Sequence, residues 1–543
     1  MPTLEWIGKD KVINHHQQVP FRTLERQYSF DERGQQTEDN GSGNMVIHGD
    51  NLEALKALLP RYEGRVKCIY IDPPYNTGNE GWVYNDNVND PKIRKWLGEV
   101  VGKEGEDLSR HDKWLCMMYP RLKLLHRLLA CDGMIAISIN AVELNYLGII
   151  MDEIFGPNNK LACAPWRSEP SGGKEKTALR TGHEYILFYS KGDTSNLQKE
   201  EKPTGSLDLV DKWGPYKKGR ELRKWGAGSL RADRENMWFP FVAPDGEMVF
   251  PIRNDGLEGR WRIGKKNPLT LNILDDPDYA HWEMCPYDEG VSVNGKTQRW
   301  VPFEKIRDEK KVFGWNTWLD SHGTNADGTS IIKDIFGEKV FDTPKPLSLI
   351  TWIVNLYSSK NAIVLDSFAG SGTTAHAVLN MNKADGGNRR FILVEMEDYA
   401  DSITAERVKR VISGYGEGKK AVEGTGGDFS YYELGEPLLI GENLNEAVGV
   451  DKIREYIWYT ETRKPYLPQT AENPYYLGSS NRTGYYFYYE PQEITVLDYD
   501  FLSAIQHREE SYVIYADRCD LSSQTLGGLH ITFKKIPRDI TRV

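Results

Sequence analysis

The stretch from Cys68 to Tyr75 constrains the fold of this chain most strongly. Its first four residues, Cys-Ile-Tyr-Ile, form a continuous apolar run that is typical of a strand buried on both faces of a sheet. Pro73 and Pro74 then prevent the strand from continuing. The strand therefore ends in a rigid turn that presents the Asp72 carboxylate, a proline carbonyl and a phenol ring. In open α/β sheets, ligands bind at this end of the strands.

The residue types of this turn suit the activation of an exocyclic amine on a nucleobase. Such an amine is a poor nucleophile because its lone pair is delocalised into the ring. Two acceptors, the Asp72 carboxylate and the Pro73 carbonyl, would free the lone pair, and Tyr75 can stack on a base flipped out of the duplex. The predicted catalytic residues are Asp72, Pro73, Pro74 and Tyr75. The alternative interpretation is a strand-ending turn without chemistry.

A second strand, Ala362–Leu365, leads into a glycine-rich turn, Asp366–Thr374, and then into a helix. The next strand ends in the carboxylate of Glu395, an order typical of dinucleotide and adenosyl-cofactor sites. The turn matches neither the nucleotide-phosphate loop nor Gly-x-Gly-x-x-Gly, because Ala375 stands where the last glycine belongs. We therefore expect S-adenosylmethionine, with Asp366 beside its cationic amino-acid end and Glu395 on its ribose.

Strands and helices alternate between residues 45 and 200 and again after residue 343. Short apolar strands such as Met45–His48 and Met134–Ile139 precede segments with apolar residues at helical spacing. This alternation predicts an α/β protein with a doubly wound, mostly parallel sheet. Residues 76–112 are rich in Gly, Asn and charge, and a loop of this length beside the catalytic turn predicts a lid or a DNA-contacting loop.

At 543 residues the chain is too long for one compact core, so we expect several domains. The alternation of strands and helices stops near residue 200 and returns near residue 343. The predicted division is an N-terminal arm (1–44), the catalytic half of the main domain (45–200), an inserted region (201–335), the cofactor-binding half (336–425) and a C-terminal module (426–543).

The charge of the chain is unevenly distributed. The net charge of −11 by itself argues against a nucleic-acid binder. Residues 212–266, however, contain 13 Lys and Arg against 7 Asp and Glu, with tryptophans between them. Basic residues interleaved with aromatic ones in a loop-rich module favour DNA contact over a solvated insertion with a small aromatic core. The candidate DNA-binding residues are Lys217, Lys218, Arg220, Arg223 and Lys224.

Other features of the sequence restrict location and cofactors. The six cysteines lack CxxC spacing, which indicates buried thiols in a reducing compartment. No basic region with an apolar core opens the sequence and no run approaches a membrane span, so we expect a cytoplasmic protein with no membrane partner. The histidines have no carboxylate or thiolate partners at useful spacing, and we expect no metal site.

The catalytic turn and the glycine-rich loop together resemble the amino-methylating DNA methyltransferases. The catalytic motif comes first and the cofactor motif last, which is the circularly permuted order of the β class of that family. Three segments, Gly49–Glu53, Asp72–Gly78 and Ile531–Pro537, are most similar to the Mod subunits of type III restriction–modification systems. The resemblance covers residues 45–190 and 340–412, and it is compositional over the inserted region.

The resemblance implies a Rossmann-like methyltransferase sheet in permuted order, with an inserted target-recognition region and a C-terminal α/β module. The cofactor-binding residues that it implies are Asp50, Lys345, Pro346, Asp366, Phe368, Gly370, Gly372 and Glu395. Asp50 would contact the adenine of S-adenosylmethionine. Family members commonly dimerise and pair with a Res helicase–nuclease subunit. The expected partners are therefore double-stranded DNA, a second copy of the chain and a Res-type subunit.

Several alternatives stay open at this point. Asp at the head of the catalytic turn favours adenine N6 as the target, whereas enzymes acting on cytosine N4 more often carry Ser there. Cytosine C5 is disfavoured, because it needs a nucleophilic cysteine after a proline and the chain has only Cys285-Pro286 in the reverse order. A non-catalytic DNA-recognition subunit would be expected to lose Asp72 or Tyr75, and both are present. The C-terminal module could serve protein interaction or auxiliary DNA contact.

Overall fold

The computed structural model describes residues 3–76, 95, 98–101, 109–172, 179–357, 359–468 and 473–538. The chain forms two compact units: unit 1 is Met1–Gln198 with Asn316–Val543, and unit 2 is Lys199–Trp315. Most of the loop expected as a lid over 76–112 lies outside the described residues. Unit 2 ends earlier than the inserted region expected over 201–335, because residues 316–335 pack with unit 1.

The described residues form both α-helices and β-strands. The α-helices are α1 (Lys9–Val12), α2 (His15–Gln18), α3 (Asn51–Tyr62), α4 (Arg110–Leu128), α5 (Leu144–Phe155), α6 (Pro268–Asp275), α7 (Asn325–Phe336), α8 (Leu347–Asn355), α9 (Thr373–Asp385), α10 (Glu406–Ser413), α11 (Val450–Thr462), α12 (Tyr499–Ser503) and α13 (Ser523–Gly528). The β-strands are β1 (Arg22–Asp31), β2 (Gly34–Gln36), β3 (Met45–His48), β4 (Val66–Ile71), β5 (Leu129–Ile139), β6 (Lys160–Trp166), β7 (Glu184–Ser190), β8 (Glu200–Pro203), β9 (Leu209–Asp211), β10 (Gly214–Glu221), β11 (Phe241–Val242), β12 (Met248–Val249), β13 (His281–Pro286), β14 (Gln298–Ile306), β15 (Lys310–Phe313), β16 (Ile363–Asp366), β17 (Arg390–Glu395), β18 (Gly414–Tyr415), β19 (Val422–Glu423), β20 (Phe429–Pro437), β21 (Leu439–Ile440), β22 (Asn443–Leu444), β23 (Tyr476–Ser480), β24 (Thr483–Phe487), β25 (Val496–Leu497), β26 (Ser511–Ala516), β27 (Arg518–Cys519) and β28 (Ile531–Lys535).

One large mixed sheet organises unit 1. Its strand order is β2-β1-β20-β3-β17-β16-β4-β5-β7-β6. The strands from β20 to β5 are parallel, and the outer strands β1, β2, β7 and β6 are each antiparallel to their inner neighbour. This sheet confirms the predicted doubly wound, mostly parallel α/β fold. The late strand β16 lies between β17 and β4, in the middle of the sheet, and the circularly permuted order stays a prediction.

Both faces of β4 are buried, as its continuous apolar sequence predicts. Ile69 and Ile71 belong to one apolar cluster, which includes residues of α3 and α4. Cys68 and Tyr70 belong to a second cluster, which includes residues of α8 and α9. Successive side chains of a strand point to opposite faces of the sheet, so this alternation places helices on both sides of β4. The strand is thereby held rigidly up to the residue at which the turn begins.

The N-terminal segment belongs to the large sheet, and the starts of α3 and α5 differ in how they are capped. The segment expected as an N-terminal arm contributes β1, which pairs with β20 in the large sheet. Asp50 caps α3, and its Oδ1 accepts two backbone N–H groups at 2.9 and 3.1 Å. Glu143 occupies the N-cap of α5 without a side-chain hydrogen bond to the helix.

Unit 2 is built around a four-stranded sheet and a small aromatic core. The sheet has the order β13-β14-β10-β9. The core contains Leu222, Phe239, Phe241 and Trp261, and the Trp261 indole N–H donates to the carbonyl of Phe239 at 2.7 Å. Part of the tryptophan content of this region therefore serves packing.

The C-terminal module forms a second, smaller α/β sheet within unit 1. Its strand order is β23-β24-β26-β28, with the last three strands parallel. Arg538, near the end of the described residues, is buried, and its Nε donates to Oδ1 of the buried Asp517 at 2.7 Å. The same guanidinium donates to the carbonyls of Glu490 and Glu493 at 2.8 and 2.6 Å. Arg538 therefore joins separate segments of the module.

The cysteines and the membrane expectation can also be compared with the structure. All six thiols are free, and Cys68 and Cys116 are buried. Cys131 and Cys163 are exposed, so the expectation of uniformly buried thiols is wrong. In the parts of the chain that the structure describes, no helix combines the length and the apolar character that crossing a bilayer requires.

Replacing Arg538 with methionine should destabilise the protein, because the Asp517 carboxylate would stay buried without its cation. Breaking a buried ion pair from one side costs about 3–5 kcal/mol. Thermal unfolding should show a lower midpoint for Arg538→Met. Arg518→Met changes an exposed arginine of the same module and should leave the midpoint nearly unchanged. Equal midpoints for the two variants would contradict a structural role for the buried pair.

Candidate active site

The predicted catalytic turn and the predicted cofactor loop leave the sheet side by side. β4 and β16 are parallel neighbours, with Ile69 opposite Leu365. Asp72 follows β4 directly and Asp366 is the last residue of β16, so both acids lie at the carboxyl end of their strands. Both residues are buried, with 7% and 3% of their surface exposed. Two motifs far apart in sequence therefore meet at one edge of the sheet.

A buried ion pair stands at the head of the catalytic turn. Lys345 Nζ donates to Asp72 Oδ2 at 2.7 Å, and it lies 3.7 Å from Glu184 Oε2. Burial raises the pKa of Asp72, and the Lys345 ammonium opposes that rise. Burial also disfavours the charge on Lys345, but Asp72 and Glu184 outweigh it and raise the pKa of the ammonium. The sequence analysis expected Lys345 beside the cofactor. In the structure its ammonium contacts the predicted catalytic carboxylate, Asp72.

Neighbouring helices hold the rest of the turn in place. The Trp114 indole N–H of α4 donates to the carbonyl of Pro74 at 2.6 Å. Asn76 has a positive φ of 58°, a conformation that costs free energy for a residue other than glycine. Its amide compensates by donating to the carbonyl of Arg110 at 3.1 Å and to Glu143. Trp114, Arg110 and Glu143, which the sequence did not indicate, therefore hold the turn at Pro74 and directly after Tyr75.

The glycine-rich loop wraps tightly at the start of α9. Gly370 N donates to Glu395 Oε2 at 2.8 Å, so the acid at the end of β17 supports the loop directly. Gly372 has a φ of 80°, and a Cβ at this position would lie 3.1 Å from the carbonyl oxygen of Thr404. Both the left-handed backbone and the close approach require glycine here. The buried guanidinium of Arg407, on α10, donates to the hydroxyls of the loop residues Ser371 and Thr373 at 2.9 and 2.8 Å.

Asp366 has the properties of a binding group for a cation. Burial raises its pKa to about 7, although hydrogen bonds from the Thr374 hydroxyl (2.6 Å) and the Phe368 N–H (3.1 Å) oppose the rise. A cationic ligand group beside this carboxyl would favour its ionised form. The amino-acid end of S-adenosylmethionine carries such a charge, so this part of the site fits the expected cofactor.

A cavity of about 580 Å³ lies beyond the ends of β3 and β17. Gly49, Asp50, Met396 and Asp398 are among the residues that line it. Asp50 lines the cavity while its Oδ1 caps α3 and its Oδ2 lies 3.4 Å from an Arg121 nitrogen. The cavity has the size needed for a nucleoside. The expected contact of Asp50 with the cofactor's adenine stays a proposal.

The predicted DNA-binding residues in unit 2 differ in solvent exposure and in the contacts they already make within the unit. Lys217, Lys218 and Arg220 are exposed and Lys224 is partly exposed. Lys218 also forms an ion pair with Glu283 at 2.5 Å. Arg223 is only 4% exposed, because its guanidinium donates to Glu221 at 2.7 Å and to Asn254 at 3.0 Å within unit 2. Arg223 is therefore engaged within unit 2, which does not favour a contact with DNA, and its selection as a DNA contact stays a prediction.

Glu184 and Asn325 are the main site residues that the sequence did not single out. Glu184 begins β7, which runs antiparallel to β5, so its first residue lies at the same edge as the catalytic turn. Asn325 begins α7, which the sequence assigned to the inserted region. An acidic residue at the start of an antiparallel strand was the available signal for Glu184.

Among the described residues, no group of three or more His, Cys, Asp or Glu side chains could hold a metal ion.

Comparisons with known proteins agree with this geometry. A family model described as DNA methylase matches residues 66–406, which is more than half of the chain. The chain belongs to this DNA methylase family. The Mod subunit of the type III restriction-modification enzyme EcoPI from Escherichia phage P1 is 32% identical over 432 residues, which cover 73% of this chain and 64% of that protein. The type II methyltransferase M.KpnI from Klebsiella pneumoniae is 34% identical over 381 residues, covering 68% of this chain and 84% of the relative.

The expected resemblance to amino-DNA methyltransferases of the Mod type is thus confirmed. The chain spans 64% of the length of EcoPI Mod, which is less than two thirds. Among solved structures, TTHA0409 from Thermus thermophilus, described as a DNA modification methylase, is 17% identical and has a TM-score of 0.31. That alignment covers 73% of this chain and 100% of the other. Family membership rests on the family model and on the sequence relatives.

The raised pKa of Asp366 predicts a pH-dependent stability of the ligand-free protein. The folded protein ionises this carboxyl at a pKa of about 7, whereas the unfolded chain ionises it near the ordinary value of 3.8. The free energy of unfolding should therefore fall, on the order of a few kcal/mol, as the pH rises from about 4 to about 7. Asp366→Asn should lose this decline in denaturant titrations across that range. Asp320→Asn, at an exposed carboxylate, should keep it, and an unchanged pH dependence in Asp366→Asn would contradict the assignment.

Proposed function

We propose that this chain transfers a methyl group from S-adenosylmethionine to the N6 amino group of adenine in double-stranded DNA. The observation that carries the proposal is the meeting of the Asp72–Tyr75 turn with the Asp366–Gly372 loop at the ends of the parallel neighbours β4 and β16. The first motif suits activation of an exocyclic amine and the second suits an adenosyl cofactor with a cationic end. Membership of the DNA methylase family supports the same chemistry.

The residues of the turn have distinct roles in this proposal. The Asp72 carboxylate and the Pro73 carbonyl accept hydrogen bonds from the two N–H groups of the target amine, and Tyr75 stacks on the flipped base. When bound, the cofactor supplies an electrophilic methyl group on a sulfonium and leaves as a neutral thioether. One proton must leave the amine once the new N–C bond has formed, and Asp72 is the acceptor. Burial raises the pKa of this carboxyl, which makes it a better base.

The proposed cofactor contacts follow from the loop and from the cavity beside it. Asp366 faces the cationic amino-acid end, and Gly370 and Gly372 allow close approach of the backbone. Glu395 faces the ribose and also fixes the loop through Gly370 N. The other proposed contacts are Asp50 with the adenine, and Phe368 and Pro346 beside the cofactor. Lys345 is reassigned from the cofactor to Asp72, which it contacts at 2.7 Å.

The target and the partners come from the sequence motif and from the relatives. Asp at the head of the turn favours adenine N6 over cytosine N4. EcoPI Mod is a subunit of a restriction-modification enzyme, and we propose that this chain also serves restriction–modification, as a homodimer with a nuclease-bearing partner subunit. The proposed DNA contacts in unit 2 are Lys217, Lys218, Arg220 and Lys224. The Trp225 ring is 56% exposed, with its N–H held by Glu221 at 2.8 Å, and it could stack on a base of the bound DNA.

Labelled S-adenosylmethionine tests the proposal directly. The protein is incubated with mixed-sequence duplex DNA, the DNA is digested to nucleosides and the labelled base is identified. Label on N6-methyladenine is the expected result, and sequencing then maps the methylated site. Label on cytosine N4 would keep the mechanism and overturn the target. No label, with cofactor bound, would remove free duplex DNA as a sufficient substrate, and no cofactor binding would overturn the proposal itself.

Asp72→Asn should abolish methyl transfer while cofactor binding, measured by calorimetry, stays close to wild type. The variant keeps the volume of the side chain but removes the proton acceptor and the negative charge. Asp72→Ala should behave in the same way in the transfer assay, and its thermal midpoint should be lower because the Lys345 ammonium would stay buried without its anion. Retained turnover in Asp72→Asn would remove Asp72 from the mechanism.

A triple variant in which glutamine replaces Lys217, Arg220 and Lys224 should bind DNA more weakly, and its DNA binding should depend less steeply on salt. Each lost phosphate contact should reduce the slope of log K against log salt by about 0.9. Glutamine at Lys202, Lys310 and Lys311, on the separate pair of strands β8 and β15, is the matched control and should change neither quantity. Equal effects of the two triple variants would show that net charge, rather than this surface, determines binding.

A further inference from the structure

Glu184 stands at the edge of the candidate active site without a role in the proposed reaction. It is the first residue of β7, and its side chain is 15% exposed. Because β7 is antiparallel to β5, this residue reaches the same end of the sheet as the catalytic turn after β4. A carboxylate in this setting is costly unless cations or hydrogen-bond donors surround it. Its partners therefore indicate what it does.

Both oxygens of Glu184 are engaged by site residues. Oε2 accepts a hydrogen bond from the Tyr75 hydroxyl at 2.8 Å and lies 3.7 Å from Lys345 Nζ. Oε1 accepts from the amide of Asn325, at the start of α7, at 3.4 Å. The carboxylate therefore links three separate segments: the catalytic turn, the segment that leads into α8 and the start of α7.

These contacts reach Asp72 through Lys345. The ammonium lies between the two carboxylates, at 2.7 Å from Asp72 Oδ2 and 5.0 Å from the centre of the Tyr75 ring. Among the described residues, the charged and titratable groups that interact with Asp72 include Lys345, Glu184, Tyr75, Tyr70 and Asp366. Glu184 thus accepts a hydrogen bond from the hydroxyl of Tyr75 and so holds the ring that would stack on the base. It also holds the cation that orients the carboxylate facing the amine.

We propose that Glu184 is a positioning residue for methyl transfer, acting on Tyr75 directly and on Asp72 through Lys345. The inference rests on the proposed function, because it concerns the same reaction. Glu184 need not contact the base or the cofactor. Its effect is to keep the stacking ring and the amine-binding carboxylate in one fixed arrangement, which is what the alignment of reacting groups requires.

The alternative is that Glu184 only satisfies a buried hydroxyl and supports folding. The two roles differ in their effect on pH dependence. The negative charge of Glu184 contributes to the raised pKa of Asp72, so its removal should lower that pKa. Since Asp72 must be ionised to accept the amine, the acidic limb of the rate profile should move to lower pH. A residue that served folding alone would lower the amount of active enzyme without moving that limb.

Glu184→Gln tests the inference, because glutamine keeps an acceptor for Tyr75 and removes the charge that holds Lys345. We expect kcat to fall about 10- to 100-fold with the cofactor Kd unchanged, and the acidic limb of kcat/KM to shift to lower pH. Tyr75→Phe is the matched variant, because it removes the hydroxyl that Glu184 holds and leaves the charge of Glu184 in place. The same hydroxyl lowers the pKa of Asp72 by hydrogen bonding, so Tyr75→Phe should lower kcat and move the acidic limb, if it moves, to higher pH, opposite to Glu184→Gln.

Wild-type protein in the same assay separates a failure of the proposed function from a failure of the role proposed for Glu184. Absence of transfer by the wild type overturns the proposed function and this inference with it. Transfer by the wild type, together with a wild-type kcat and pH profile in Glu184→Gln, overturns the inference alone. A fall in kcat that matches a fall in folded protein, with the limb unmoved, assigns Glu184 to folding and also overturns it.

Discussion

The parallel pairing of β4 with β16 is the constraint on which the site depends. More than half of the chain lies between the two strands in sequence, yet Ile69 lies opposite Leu365 in the sheet. In a parallel pair both strands end at the same edge, so the proline turn and the glycine loop leave the sheet together. Burial of β4 on both faces fixes the direction in which Asp72 points. The rest of the site is arranged around this junction.

The charged groups at the ends of β4 and β16 support the same division of the site into two parts. Asp72 and Asp366 are two buried acids at adjoining strand ends, and each would be costly without compensation. Lys345 compensates Asp72 within the protein, whereas Asp366 has neutral donors and a pKa of about 7. A cation of the protein thus holds the first acid, and the second acid is placed to receive a cation from a ligand. This difference suits an amine acceptor on one side and a cationic cofactor on the other.

The sequence predicts those parts of the site that depend on local signals. The apolar run before Asp72, the two prolines and the glycines of the loop restrict the backbone wherever they occur, and the structure has the strand, the turn and the loop where they were expected. Long-range contacts leave no such signal. Lys345 and Arg223 look alike in the sequence as cations near functional segments, but one pairs with Asp72 and the other with Glu221. Composition likewise could not show that residues 316–335 pack with unit 1.

A crystal structure of the protein with S-adenosylhomocysteine would show directly whether the two motifs form one active site. We expect the amino-acid end of the ligand against Asp366, its ribose against Glu395 and its sulfur at the ends of β16 and β4, facing the Asp72–Tyr75 turn. A ligand bound elsewhere, or bound in the loop with its sulfur directed away from Asp72, would contradict the proposal that the two motifs form one active site.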